Sequence, residues 1–270
     1  ELELAFGDIR LQSREIDMGS AEDPMEACFE RGWSDGLPVV PPTPVRVLRM
    51  LKGTSRQPDE VVGLMPPDLV PVTVEKVAIN AVLAGCKPEY MPVLLAALEA
   101  ALTDEFGLHG LICTTMFGSP MIVVNGPAAR AIGMNSGVNA LGQGNRANAT
   151  IGRALQLLIR NVGGGRPGEI DRATLGNPGK YSFCFAEAED ADWLPLAQER
   201  GIEAGRSAVT LFPGEGVQGI VDQKSRDPES LARSFALSLR TVDHAKLAMA
   251  GDAVLVVSPH WMTQEVQVGL

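Results

Sequence analysis

MIVVNGPAARAIGMNSGVNALGQGNRANATIGRALQLLIRNV, residues 121–162, changes its periodicity within one run. Met121 to Asn125 is a short apolar stretch bounded by turn residues, the pattern of a buried strand. Further on, Ala147, Thr150, Ile151, Ala154, Leu155, Leu158 and Ile159 recur every three or four residues, which puts them on one face of a helix from Asn145 to about Val162. Asn145 is placed to cap that helix, and Gly163-Gly164-Gly165 stops it. Between strand and helix lies a glycine- and asparagine-rich connection, Gly133 to Asn145.

Working outward, Thr73 caps a helix with Val74, Val77, Ala78, Ala81 and Val82 at helical spacing, closed by Gly85. Pro88 opens another, to about Asp104, and Asp23-Pro24 and Thr43-Pro44 start two shorter ones. Three prolines in Trp33 to Thr43 make that segment a stiff extended connection. Glu60 to Met65, Leu111 to Met116, Tyr181 to Ala186, Ala208 to Phe212, Val217 to Val221 and Ala253 to Val257 read as strands, and Pro228 to Ala250 as a helix. Helices and strands in loose alternation predict an α/β (or α+β) fold: a mixed sheet flanked by helices in a single large domain over residues 21–270, preceded by an N-terminal arm, residues 1–20. The strand order is not encoded in that alternation, and no internal repeat is present.

Lys and Arg number 23 against 33 Asp and Glu, a net charge of −10, which opposes binding to nucleic acid or to an anionic membrane surface. No stretch approaches the roughly 18 consecutive apolar residues of a membrane span, and the opening ELELAFGD lacks a secretory signal's basic and apolar regions, so the cytoplasm is the expected compartment. The four cysteines, Cys28, Cys86, Cys113 and Cys184, form no CxxC pair and read as reduced thiols rather than a disulfide framework.

Four places attract chemistry. In Gly142-Gln-Gly-Asn-Arg-Ala-Asn148, glycines allow close backbone approach and the helix start offers unpaired N–H groups, which makes Gly144, Asn145, Arg146 and Asn148 candidate ligands for a small anion. The run fits neither the Walker phosphate loop nor the GxGxxG dinucleotide pattern, so no nucleotide cofactor is implied. Cys86 sits in the corner between two helices beside Lys87, where a lowered pKa would make it a nucleophile or metal ligand, with Glu75 or Glu89 as acid/base. Cys113, the alternative nucleophile or metal ligand, lies in a run read as a strand, on the same face as Thr115, with His109, a candidate base or ligand, a few residues before it. Lys180 and Glu187, in Asn177 to Glu187, are placed to bracket a polar substrate. The cofactor stays open, a mixed Cys/His/Glu metal site among the options, because three histidines are too few for a histidine-rich one. Each place also has a plainer explanation: a capped helix with a solvated arginine flank, cysteines as small buried hydrophobes, and a Pro-Gly turn.

Together, DGLPVVPPTP (35–44), TVEKVAINAVLAGCKPEYMPVLLAALEA (73–100), GNRANATIGRALQLLIRNVGG (144–164) and NPGKYSFCFAE (177–187) resemble a poorly characterised bacterial family. Its members are often encoded beside small proteins with a Cys/Sec-Gly-Ser-Cys (UGSC-type) motif, and the resemblance implies a two-component, thiol-linked system. This chain has no Cys-Gly-Ser-Cys sequence of its own.

The leading expectation is therefore an enzyme or catalytic subunit acting on a small anionic metabolite with cysteine and carboxylate chemistry, lyase, hydrolase and thiol-redox reactions all remaining open. The alternative is a noncatalytic partner subunit that docks a thiol or selenol protein. Long proline- and glycine-containing connections favour a homo-oligomer.

Overall fold

In the computed structural model, which describes residues 9–189, 193–242 and 252–257, the elements are α1 (Pro24–Glu30), α2 (Pro44–Leu51), β1 (Val61–Met65), β2 (Val70–Thr73), α3 (Val74–Ala84), α4 (Met91–Ala101), α5 (Leu108–Cys113), β3 (Ser119–Asn125), α6 (Pro127–Ala131), α7 (Arg146–Asn161), β4 (Cys184–Ala186), α8 (Leu196–Glu199), β5 (Ala208–Gly214) and α9 (Pro228–Val242). The class is mixed α/β, with β1 and β2 as an antiparallel hairpin and a sheet ordered β4-β3-β5. Within that sheet β3 runs parallel to β4 and antiparallel to β5. By internal contacts the chain forms two compact units, Glu1–Gly216 and Val217–Leu270. All strands belong to the first.

That first unit is organised by α3 against α7. Eight of the eleven residues of α3 are apolar, and nine of the eleven are buried, Glu75 and Asn80 among them. Helix α7 is amphipathic, and Ala147, Ile151, Ala154, Leu155 and Leu158 form its inward face as the periodicity requires. Each fully buried Leu or Ile here contributes about 1.5–3 kcal/mol from burial alone. The Thr73 side chain accepts from the Lys76 N–H to start α3, and Gly85, at φ 88°, ends it in the left-handed conformation that glycine adopts most readily. Gly152 gives α7 a face without a side chain. A Cβ there would lie 2.5 Å from Ser182 Oγ and 2.9 Å from Phe183 N, so glycine is what lets the chain entering β4 press against the helix.

Several sequence expectations change in three dimensions. Leu111 to Met116 is not a strand: Leu108–Cys113 is helical, since Leu108, Leu111 and Ile112 satisfy helical spacing as well as a short apolar run satisfies a strand. The argument from alternation about Cys113 and Thr115 falls with it. Val217 to Val221 and Ala253 to Val257 have no strand pairing, and Val217 and Val221 are largely exposed. The hairpin strand β2 was hidden by Pro71, which sits where β2 has β1 as its partner. Pro88–Tyr90 forms a 3-10 turn before α4 rather than its first turn. Tyr181 to Ala186 shortens to three paired residues, because the Ser182 hydroxyl instead donates to the Ala149 carbonyl of α7 (2.7 Å). Of the expected helix from Pro228 to Ala250, α9 covers the part to Val242, and the rest lies outside the described residues.

The proline-rich connection is strapped across α7. Arg153 donates to both carboxylate oxygens of Asp35 (2.7 and 2.8 Å) and also to the carbonyls of Leu37 and Pro38 (3.2 and 3.0 Å). Lower on the same helix, Asn161 donates to the Trp33 carbonyl and to Asn80 Oδ1 of α3, both at 3.0 Å. The Arg153 and Asp35 side chains are only 13% and 11% exposed, so removing one leaves the other charge poorly solvated. Arg153→Ala is expected to cost about 3 kcal/mol of unfolding free energy in urea titrations, whereas a change within about 0.5 kcal/mol would mean that the strap is idle.

Candidate functional site

The two helix corners singled out in the sequence do meet. Arg146 Nε donates to the Gly85 carbonyl at the end of α3 (2.9 Å), and Cys86 Sγ donates to the Thr150 carbonyl in the first turns of α7 (3.3 Å). What they form is a packed junction. Cys86 is 6% exposed, and burial pushes its thiol up to about 12, against the opposing hydrogen bond to Thr150 and the charges of Arg146 and Arg153. Cys184, which faces Gly152 across the same helix, is likewise raised by burial, with Cys86 adding to the shift. Cys28 is raised by burial in spite of Arg31. At all three, burial favours the thiol over the thiolate that nucleophilic or metal-binding chemistry needs. Cys113, half-buried at the end of α5, is the remaining thiol.

The other residues named from sequence are engaged within the chain or lie apart. Glu75 is 2% exposed, and its carboxylate accepts the backbone N–H groups of Gln12 and Ser13, both at 2.8 Å, so it ties the N-terminal arm to α3. Glu89 is exposed on the turn before α4. Lys180 is paired with Asp171 (2.7 Å) at the opposite end of β4 from Glu187, so those two do not bracket one ligand. His109 is exposed on α5. Among the described residues no group of three or more His, Cys, Asp or Glu is arranged to hold a metal ion.

Asn145 and Asn148 act on the loop before α7. Asn145 Oδ1 caps the Asn148 N–H (3.0 Å), while its Nδ2 donates to the Gly133 carbonyl (2.8 Å). Asn148, 3% exposed, accepts from Asn135 N (3.0 Å) and donates to the carbonyls of Asn135 (2.9 Å) and Ala140 (3.2 Å). Four bonds thus hold Gly133 to Ala140 in one course. Gly144, exposed, lies at the end of this loop.

The loop forms one wall of a crevice beyond the carboxyl ends of the parallel pair β3 and β4, the side of an α/β sheet where ligands collect. Gly126, Arg130, Met134, Ser136, Glu187 and Glu189 line it, around a cavity of about 40 Å³. Asn125, the last residue of β3 and 1% exposed, organises its floor. Its Nδ2 donates to Glu187 Oε2 (2.6 Å) and Glu189 Oε1 (3.0 Å), which fixes the amide orientation because the opposite one would set oxygen against carboxylate. Among the described residues its buried Oδ1 finds no hydrogen-bond partner. Glu189 also accepts from Gly126 N (2.5 Å) and Arg130 (3.0 Å), and Glu187 from Leu196 N at the start of α8 (2.9 Å). Burial raises the Glu189 carboxyl, but the bonds from Asn125, Gly126 and Arg130 outweigh it and hold the group below the ordinary carboxylate value.

Of this crevice only Glu187 was singled out in the sequence. Asn125-Gly126 directly after a buried apolar run was the available signal, since strand ends carry sites. Asn125, Arg130, Ser136 and Glu189 become a group only through the parallel pairing of β3 with β4. Comparison with models of known families, with curated proteins and with solved structures finds no match to this chain. No helix among the described residues is long and apolar enough to cross a membrane.

Two outcomes follow from the site's electrostatics. With iodoacetamide at neutral pH, Cys113 is expected to be alkylated before Cys28, Cys86 and Cys184 when the modified peptides are read by mass spectrometry, and first reaction at Cys86 would restore a thiolate there. Because the folded pKa of Glu189 is depressed, its stabilisation is complete above the unfolded carboxylate value and is lost as pH falls through that value towards the folded one. Glu189→Gln should therefore flatten the acid limb of the stability curve, with the difference from wild type vanishing at low pH.

Proposed function

We propose that this chain is an enzyme, or the catalytic subunit of one, that binds the polar head of a small metabolite in the crevice beyond β3 and β4 and works through carboxylate rather than thiolate chemistry. The observation that carries the reading is Asn125: a buried amide at a strand end that arranges two carboxylates beside a cavity. A cavity of about 40 Å³ has room for a small polar head group and not for a whole metabolite. Two carboxylates, one of them held ionised, favour a donor such as an ammonium or a hydroxyl, and Glu187 is the better placed to exchange a proton because among the described residues no ion pair includes it, whereas Glu189 is paired with Arg130. The polar groups of the Arg146 corner serve in this reading as supports for the crevice wall, which shifts the ligand away from the anion first expected there.

A noncatalytic partner role has one observation in its favour. Helix α9, in the second unit, buries none of its residues although Leu237, Leu239 and Val242 are apolar and exposed. The two roles separate in a thermal-shift screen of primary amines, polyols, carboxylates and phosphates against wild type, Glu187→Gln and Arg146→Ala. A ligand at about 100 times its Kd adds about 2.7 kcal/mol, or roughly 2–4 °C in Tm per kcal/mol for a chain of this size. Stabilisation by an amine or polyol that Glu187→Gln abolishes supports the crevice. Stabilisation only by carboxylates or phosphates, lost in Arg146→Ala and kept in Glu187→Gln, overturns it.

A further inference from the structure

Four side chains at the crevice form one hydrogen-bonded series. Asn125 Nδ2 donates to Glu187 Oε2 and to Glu189 Oε1, and Arg130 Nη1 donates to Glu189 Oε2. The middle of the series is closed, since Gly126 N also donates to Glu189 Oε1. Its two ends are open. Glu187 accepts from Asn125 and from Leu196 N on Oε2 alone, so among the described residues Oε1 has no donor. Arg130 meets Glu189 through Nη1 alone, and among the described residues its Nε and Nη2 meet no acceptor. Arg153 shows the contrast: there Nε and Nη2 together grip Asp35, as suits a guanidinium with a purely structural task.

The open ends call for opposite chemistry. At the Glu187 end the unmatched atoms are acceptors: Glu187 Oε1, the buried Asn125 Oδ1 and the hydroxyl of Ser136, which lines the crevice from the loop. A primary ammonium brings three N–H donors to such a set. At the other end, a guanidinium with two donors open is suited to a carboxylate, which it can meet with parallel hydrogen bonds. The Arg130 side chain is 65% exposed, so this cation stands at the mouth, whereas the cavity itself, about 40 Å³, takes only a small head group. Charge then separates the ligand classes. A diamine would set its second cation against Arg130, and a simple carboxylate would enter against Glu187 and Glu189, each a like-charge contact. A zwitterion with its ammonium inwards meets an opposite charge at both ends.

We infer that the ligand of this crevice is an amino carboxylate, its ammonium held at Glu187 and its carboxylate at Arg130, which makes Arg130 the residue that selects a zwitterion over a simple amine. This assignment rests on the crevice being the binding site, as proposed above.

Isothermal titration calorimetry on the full chain tests it with glycine, β-alanine and γ-aminobutyrate, each set against the n-alkylamine of equal length, ethylamine, propylamine or butylamine. In the best-fitting pair, wild type is expected to bind the amino carboxylate about tenfold more tightly than the amine. Arg130→Gln should weaken only the amino carboxylate, bringing the pair to equal affinity, and Glu187→Gln should weaken both. Arg130→Lys keeps the cation without the fork and should show an intermediate preference, which gives the same reading if Arg130→Gln does not fold. Amines bound by wild type as tightly as their amino carboxylates overturn the zwitterion but leave the crevice in place, provided that Glu187→Gln abolishes their binding. A preference that survives in Arg130→Gln while both ligands weaken alike makes the guanidinium a prop for Glu189 and also overturns the inference. Binding of neither class, or binding that Glu187→Gln leaves unchanged, removes the crevice as a site and the zwitterion with it.

Discussion

The inward face of α7 is the constraint from which the rest of the first unit follows. Ala147, Ile151, Ala154, Leu155 and Leu158 pack it against α3, and nearly every connection that matters is then tied to a polar atom on the same helix. Arg146 holds the end of α3, Thr150 receives the Cys86 thiol, Gly152 admits the chain entering β4, Arg153 clasps the proline-rich connection and Asn161 joins Trp33 to α3. A helix with apolar side chains on one flank and this many engaged polar groups on the other positions its surroundings by directional bonds as well as by burial.

This arrangement explains why the obvious reactive groups are quiet. Cys86 and Cys184 approach α7 from different elements and are sealed by the same close packing, and a desolvated thiol keeps its proton. Glu75 spends both of its carboxyl oxygens on backbone donors of the N-terminal arm, so it is engaged in structure rather than open to a substrate. Asn145 and Asn148 spend their hydrogen bonds on one loop. Among the described residues Asn125 and Asn161 each leave a buried amide oxygen unmatched, and of the two Asn125 stands at a strand end among carboxylates, a more specific pointer to function than the presence of a reactive residue type.

Helices α1, α2, α3, α4 and α7 were legible to within a few residues because their caps and spacing are local: Asp23, Thr73, Gly85 and Asn145 do in space what their residue types suggest, whereas the short helices α6 and α8 were not marked. The α/β class was legible for the same reason. Short apolar runs were not. Leu108–Cys113 satisfies two periodicities at once, and Val217 to Val221 has strand composition without a neighbouring strand to pair with. Of the candidate site, Glu187 was marked, and the loop from Gly133 to Asn145 was recognised as special but assigned to binding rather than to building a wall.

By itself, the sequence determined where the capped helices begin and end, which faces they bury, and a net charge of −10, since each depends on neighbours a few residues apart or on a sum over all residues. Only the tertiary structure decided which cysteines are desolvated, that Asn125 would gather Glu187 and Glu189 from 62 and 64 positions away, and that β3 would run parallel to β4 and antiparallel to β5. Those properties arise from desolvation and from backbone pairing between distant segments, and neither is a property of any residue in isolation.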